Sequence, residues 1–262
     1  MAFNKNELIL DKVRQLVMYD LSTDELLVRL TSLEDPSLAT SAEGEEVVDA
    51  VGALITTLYR AKRATFSATN SLLSLDLAAA QFGTKKDVGS ADNKIVVRTY
   101  EIVKIPDGAT TVTLKHTPVN PIAFIYSIMN NETDTKYAAA AAASATEFVM
   151  GENGEITLPT GLTGKIYVEY EFETENAVRI VNRASEFPSA VKAVIYAYFR
   201  DKCNENIVYS GAIICPKAKL NPEQVELALT STGKHAFELT MMKDYCAEEG
   251  EDELFTIVVF GE

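Results

Sequence analysis

The sequence predicts a mainly-β protein: a β-sandwich or barrel-like domain with one short flanking α-helix, carrying a second, small β-sandwich as an insertion. Three observations predict it. Apolar and polar residues alternate with period two along much of the chain, as in Thr111–Thr117 and Ile166–Phe172. Turn formers such as Pro106-Asp107-Gly108, Asn130-Asn131 and Glu152-Asn153-Gly154 punctuate those runs at short intervals. Helical spacing of apolar residues with both a cap and a stop occurs between Leu72 and Phe82.

Taken in order, Leu8 to Met18 reads either as a short helix or as an arm with strand character, and Glu25 to Leu33 as a strand. Asp35-Pro36-Ser37 breaks the pattern. The stretch to Val48 is rich in Ser, Thr, Ala, Gly and Glu and reads as a long loop, a common form for an interaction segment. Val51 to Thr69 alternates β-branched and aromatic residues, so it is a long strand or a bent strand pair. Asn70 or Ser71 caps a helix whose apolar positions are Leu72, Leu75, Ala79 and Phe82, and Gly83 stops it.

From Tyr100 to Phe172 short strands and turns follow one another as in a small β-sandwich, with Ala138 to Ala143 as a small-residue connection or a single helical turn. Longer strands return at Val191–Asp201, Ile207–Cys215 (ending at Pro216), Val225–Leu229, His235–Met241 and Leu254–Phe260. The two flanks resemble each other more than either resembles the middle. The expected organisation is therefore one discontinuous domain, 1–100 with 176–262, and an inserted domain, 101–175.

Composition narrows the function. With 47% hydrophobic and 24% charged residues the chain is globular, not disordered. It holds 24 Lys and Arg against 38 Asp and Glu, a formal charge of −14, which disfavours a general grip on nucleic-acid phosphates. No apolar run approaches the ~18 residues of a membrane span, and charges at Lys5 and Glu7 interrupt any export signal, so no membrane anchor is expected. Cys203, Cys215 and Cys246 are odd in number and lack C-x-x-C spacing, which points to free thiols and synthesis in a reducing cytoplasm.

Chemistry-bearing patterns are scarce. His116 and His235 fall in different expected domains, and no H-x-x-x-H, P-loop, dinucleotide fingerprint, G-x-S-x-G or calcium-loop order is present. The expectation is a non-enzyme with no cofactor and no metal. Acidic clusters at Glu45-Glu46 with Asp49 and at Glu248–Glu253 read as solvated rims. The small basic cluster Arg60, Lys62 and Arg63 suits an acidic patch on a neighbouring subunit, so Glu43, Glu45, Glu46, Asp49, Arg60, Lys62 and Arg63 are the candidate subunit contacts.

Asp49-Ala50-Val51-Gly52, the long strand with Arg60-Ala61-Lys62-Arg63-Ala64-Thr65-Phe66-Ser67, and the helix ending at Gly83 resemble the bacteriophage tail tube (major tail) proteins. Ala218-Lys219-Leu220-Asn221-Pro222 and Ser231-Thr232-Gly233-Lys234-His235-Ala236-Phe237-Glu238-Leu239 resemble the closing strands of that family. The middle segment is similar to the small immunoglobulin-like domains of phage structural proteins. The resemblance implies a virion protein, made and assembled in the host cytoplasm, that forms homohexameric rings stacked into a hollow tail tube. Its partners would be itself and other phage tail proteins, and DNA would pass through the channel without specific binding. In this chain the loop 35–48 and an N-terminal arm over 2–12 would reach neighbouring subunits. The alternative is another virion component, such as a capsid decoration protein or an adhesive β-sandwich protein.

Overall fold

The computed structural model describes residues 6–204, 206–223, 225–227, 233–245 and 252–261. The described elements begin with β1 (Leu8–Asp20), β2 (Leu26–Leu30), β3 (Leu33–Val48), β4 (Leu54–Asn70) and α1 (Leu75–Phe82). Next come β5 (Asp87–Val88), β6 (Ile95–Lys104), β7 (Thr111–Thr113), β8 (Phe124–Met129) and β9 (Glu132–Ala139). β10 (Glu147–Met150), β11 (Glu155–Thr157), β12 (Lys165–Thr174) and β13 (Val178–Arg179) complete the middle of the chain. The last four are β14 (Ala190–Asp201), β15 (Val208–Leu220), β16 (His235–Met241) and β17 (Thr256–Phe260). The architecture is mainly β, and it separates into two compact units, Met1–Lys86 with Ile180–Glu262 and Asp87–Arg179. A boundary at 100/101 falls inside β6, which pairs with β12 from Ile95↔Thr174 to Lys104↔Lys165. That ladder belongs wholly to the second unit.

The first unit is built on one sheet in the order β2-β1-β14-β15-β16-β4-β3. β15 shares its second edge between two partners: Ser210–Ile214 pair with β17, and Ala218–Leu220 pair with β16. The outermost strands β2 and β3 are joined only by Thr31 and Ser32, and the Ser71 amide donates to the Ser32 carbonyl at 2.9 Å. So short a link reaches ~10 Å at most, so the sheet must curl until its edges meet. Inside the curl lies one apolar cluster that includes Leu16, Met18, Phe66, Ile195, Leu220 and Leu239, each buried.

Local chemistry explains where the elements depart from expectation. Leu8–Met18 is strand, not helix, because β14 supplies an antiparallel ladder from Leu8↔Asp201 to Asp20↔Val191. The same ladder takes up Leu8–Lys12 of the expected arm, while residues 2–5 lie outside the described set. β15 does not end at Pro216. Its register jumps from Val191↔Ala218 to Ala193↔Cys215, and a bulge is where a proline without an N–H fits a ladder. Of the expected strand Val225–Leu229, Leu227 makes an isolated bridge to His235, and residues 228–229 lie outside the described set. Thr256 to Phe260 forms the terminal strand, and the acidic run before it is outside that set up to Glu251.

α1 starts later than its apolar spacing suggests. Ser74, not Asn70 or Ser71, is the N-cap, its hydroxyl accepting from the Leu77 amide at 3.2 Å. Gly83 ends the helix at φ +69°, and a Cβ there would sit 2.1 Å from the Phe187 carbonyl oxygen, so only glycine fits. The buried side is Leu77, Ala78, Ala79 and Gln81, whereas Leu72 and Leu75 are exposed. Polar pairing sets this face. His235 lies opposite Asn70 on the β16–β4 ladder, and its Nε2 is 2.5 Å from Gln81 Oε1. Gln81 Nε2 in turn donates to the Ala236 carbonyl at 3.2 Å, and Asn70 Nδ2 donates to the Leu72 carbonyl at 2.6 Å.

The second unit holds a seven-stranded sheet in the path β6-β12-β8-β9-β10-β11-β7, besides the short β5–β13 pair, around a separate core that includes Ile125, Phe148, Ile156, Ile166 and Val168. β10 turns the corner, pairing parallel with β9 at Glu147 and Phe148 and antiparallel with β11 at Val149 and Met150. Asn130 and Asn131, both at positive φ, form the tight β8–β9 turn. Ala138 and Ala139 are strand, not connection. Tyr170 reaches from β12 to donate to Glu101, while the Lys115 amide donates to Glu101 at 3.0 Å. Burial first, then the Glu101 carboxylate, pushes the Tyr170 phenol up to about 12.

Two expectations follow. Residues 87 and 179 are paired across the β5–β13 ladder, with Arg179 Nη2 bonded to Asp87 at 2.8 Å, so the ends of the second unit lie side by side. Replacing 87–179 by a Gly-Ser linker of about 4 residues, enough to span the ~5.5 Å between paired Cα atoms, leaves the first unit folded with one cooperative urea transition. An insoluble or non-cooperative product would show that the units do not fold separately.

The second concerns His235, whose pKa is lowered from 6.5 by burial, so the folded chain holds the ring neutral while the unfolded chain protonates it. Stability is complete above pH 6.5 and falls as the pH drops from there towards the folded value. The urea midpoint of the wild type therefore declines between pH 7 and pH 5 more steeply than that of His235→Gln.

Candidate subunit-contact surface

The segment 35–48, expected as a loop, is strand. β3 pairs with β4 from Leu33↔Asn70 to Val48↔Leu54, so a long hairpin replaces the loop. Ser, Ala, Gly and Glu have weak β propensity, but the apolar, β-branched partner strand fixes their conformation through the ladder. The pattern-breaking Asp35-Pro36 survives as a bulge, with Asp35 at φ +49° and a register jump between Glu34 and Ser37. A second bulge, with Ala61 at φ +49°, falls where the register jumps from Ser41↔Arg63 to Glu43↔Arg60.

That second bulge divides the hairpin by environment. On its core side, Ala64, Phe66, Ala68 and Asn70 are buried alternately. Beyond it, Leu54 to Arg63 and Ser41 to Val48 lack any buried residue, so both faces of the hairpin stand in solvent. Eight residues of strand project ~26 Å. The projection is apolar: Tyr59 is 73%, Ile55 63%, Leu54 58% and Val48 51% exposed. An isolated two-stranded ribbon is marginal in water, and the outer edge of β3 has no strand partner among the described residues.

The candidate residues all lie on this arm, but most of their charges are matched within it. Arg60 pairs with Glu45 at 3.4 Å, and Arg63 with Glu43 at 3.6 Å, as exposed cross-strand pairs worth ~0–1 kcal/mol each. Glu46 lies opposite Thr57, and Lys62 sits in the bulge. Asp49 is a turn residue: its Oδ1 accepts from the Val51 and Ala53 amides at 2.9 and 2.8 Å, and its backbone closes the turn to Ala53 at 2.9 Å. What sequence reasoning missed is the apolar set Val48, Leu54, Ile55, Leu58 and Tyr59. The signal was the period-two run itself, since alternation with no buried face in this chain leaves one face for another.

The remaining reactive side chains among the described residues lie apart from one another. His116 stacks on Phe172 at 3.9 Å in the second unit, and His235 is buried in the first. Cys203 is exposed; Cys215 is buried 3.7 Å from Met241 Sδ, and burial pushes its thiol up to about 12, an inert state. Cys246 lies outside the described residues. Among the described residues no cluster of His, Cys, Asp and Glu is placed to hold a metal ion, and no helix is long and apolar enough to cross a membrane.

A curled sheet, a docked helix and a projecting apolar hairpin make up the first unit. In the comparison with protein families, the model of the YomU/Tube protein family matches residues 8–251, and the chain belongs to that family. This is in keeping with the tail-tube resemblance carried by the flanking segments. No curated protein matches the chain.

Asp49→Ala removes the acceptor of two tip amides. Hydrogen exchange at Val51 and Ala53 then quickens about tenfold, on the scale of a hydrogen bond to a charged group, while the urea midpoint of the core stays unchanged. A lowered midpoint would show that the hairpin tip is coupled to the core.

Proposed function

We propose that this protein is the repeating subunit of a phage tail tube, six copies closing a ring and rings stacking around a channel that conducts DNA. The observation that carries the reading is the arm: an apolar ribbon, solvated on both faces in the single chain, in a member of a tube family. Laid against a neighbouring copy, it would bury Leu54, Ile55, Leu58 and Tyr59, and its open β3 edge would find ladder partners. Closed symmetry removes such edges all around the ring. The formal charge of −14 keeps passing phosphates from adhering, so DNA slides without a specific site. The protein would work in the virion tail after assembly in the host cytoplasm, against its own copies and other tail proteins, with no catalytic role.

Negative-stain microscopy of the purified full chain tests the reading, and hollow rods or rings are expected. The triple variant Leu54→Asp, Ile55→Asp and Leu58→Asp keeps the far-UV circular dichroism and thermal midpoint of the unassembled chain, because exposed substitutions cost ~0.5 kcal/mol or less. In sedimentation velocity it runs as a small species. A wild type that stays monomeric at high concentration in several salts would overturn the proposal and favour a decoration protein. Normal rods from the triple variant would move the contact off the arm.

A further inference from the structure

The second unit turns to solvent a face that its own core does not use. Ile166, Val168 and Tyr170 of β12 are buried, so Tyr167, Glu169 and Glu171 point outward. Register extends this outward set to Ile102, Tyr100 and Arg98 on β6, to Tyr126 on β8, and to Lys136 on β9. The Tyr100 and Tyr167 rings stack at 5.6 Å and 21°, and Tyr126 lies directly across from Tyr167. Strands lie ~4.8 Å apart, so rings on three neighbouring strands form a platform roughly 10 Å long.

Beside the platform opens a pocket of about 300 Å³, whose lining includes Arg98, Asn120, Phe124, Tyr126, Glu169 and Glu171. Its polar groups come as donor–acceptor pairs. Arg98 Nε donates to Glu169 Oε1 at 2.6 Å, and Asn120 Nδ2 donates to Glu171 Oε2 at 3.5 Å. Around the pocket, Arg98 and Lys136 stand against Glu169 and Glu171, and the ends of the same face carry Lys104 with Lys165 on one side and Glu173 on the other, so the face holds four cations and three carboxylates, 4 − 3 = +1. At the pocket, where the charges of both signs are mixed, neither a polyanion nor a polycation gains much. The Lys136 ammonium, 3.4 Å from the Phe124 ring centroid, is held on the patch's own ring.

We infer that this face binds a neutral carbohydrate, a short run of hexopyranose units lying across Tyr100, Tyr167 and Tyr126. A pyranose ring presents a C–H face that packs on the negative face of an aromatic ring, and its rim of hydroxyls both donates and accepts. Platform and pocket offer those two halves side by side: flat rings for the sugar faces, and the Arg98–Glu169 and Asn120–Glu171 pairs for the hydroxyls. The platform length suits about two sugar units. An extended peptide would add at a sheet edge instead of on this face. Every residue in the site belongs to the second unit, and none lies on the arm.

The test uses the full chain with cellotetraose, maltotetraose and chitotetraose as probes and dextran sulfate as the polyanion control. The sequence has 11 Tyr and no Trp, so tyrosine emission is unmasked and reads the platform as the difference between the wild type and Tyr100→Ala, with saturation-transfer NMR on the sugar protons as a second readout. At least one neutral probe is expected to bind with a Kd of ~0.1–10 mM, and Tyr100→Ala and Arg98→Gln each to weaken it about tenfold. Tyr100 is 63% exposed, so its truncation leaves the far-UV circular dichroism unchanged. Tyr59→Ala, in the other unit, leaves binding as it was. The inference is overturned if no neutral probe binds the wild type at about 10 mM, if both patch variants bind like the wild type, or if dextran sulfate binds more tightly than every neutral probe.

Discussion

Strand β4 serves two environments at once, and the first unit depends on how it does so. From Ala64 to Asn70 its alternate residues are core, held between β16 on one side and β3 on the other. From Arg63 to Leu54 the same strand has β3 as its one partner and water on both faces. Because the ladder runs through the bulge at Ala61, the arm is an extension of a strand anchored in the core and is aimed by it. Flexible loops would pay the ordering entropy of each residue on docking; a paired ribbon has paid much of it on folding.

The base of that strand is fixed by polar chemistry. Asn70, Gln81 and His235 are buried where β4, α1 and β16 meet; the His235–Gln81 bond and the bonds of Gln81 to the Ala236 carbonyl and Asn70 to the Leu72 carbonyl set the face on which α1 docks. Buried polar groups are costly unless paired, so an arrangement that satisfies most of them selects one register and one helix rotation over the alternatives. The His235 ring donates from Nε2 to Gln81, and its Nδ1 has no partner among the described residues, which agrees with a neutral ring.

The two units divide their labour in the same way at different places. Each packs one side of its strands around its own core, and each leaves a strand surface that this core does not need. In the first unit the spare surface is an apolar ribbon with locally matched charges, suited to a protein neighbour. In the second it is an aromatic platform beside a polar pocket, the surface inferred to take a small neutral ligand. Apolar area without hydrogen-bonding groups favours extended contact, whereas rings flanked by paired donors and acceptors favour a discrete ligand.

Much of this was legible in the residues. Period-two alternation located β4, β12, β14 and β16, because a strand with one buried face must alternate. Gly83 marked the helix end, since only glycine takes that conformation without strain. The seven candidate contact residues lie on the projecting element, six of them as members of internal ion pairs, a bulge and a turn, and Glu46 opposite Thr57 in the ladder. Tertiary structure alone decided the rest. Segment 35–48 is strand because β4 offers it a ladder, β15 passes Pro216 because a bulge absorbs the missing donor, and α1 turns Leu77 and Gln81 inward because His235 is there to meet it. The boundary inside β6 moved for the same reason: composition changes gradually along the chain, whereas hydrogen-bonded pairing with β12 binds all of Ile95–Lys104 to one unit. A sequence records what each residue prefers, and those segments were settled by partners distant in the chain.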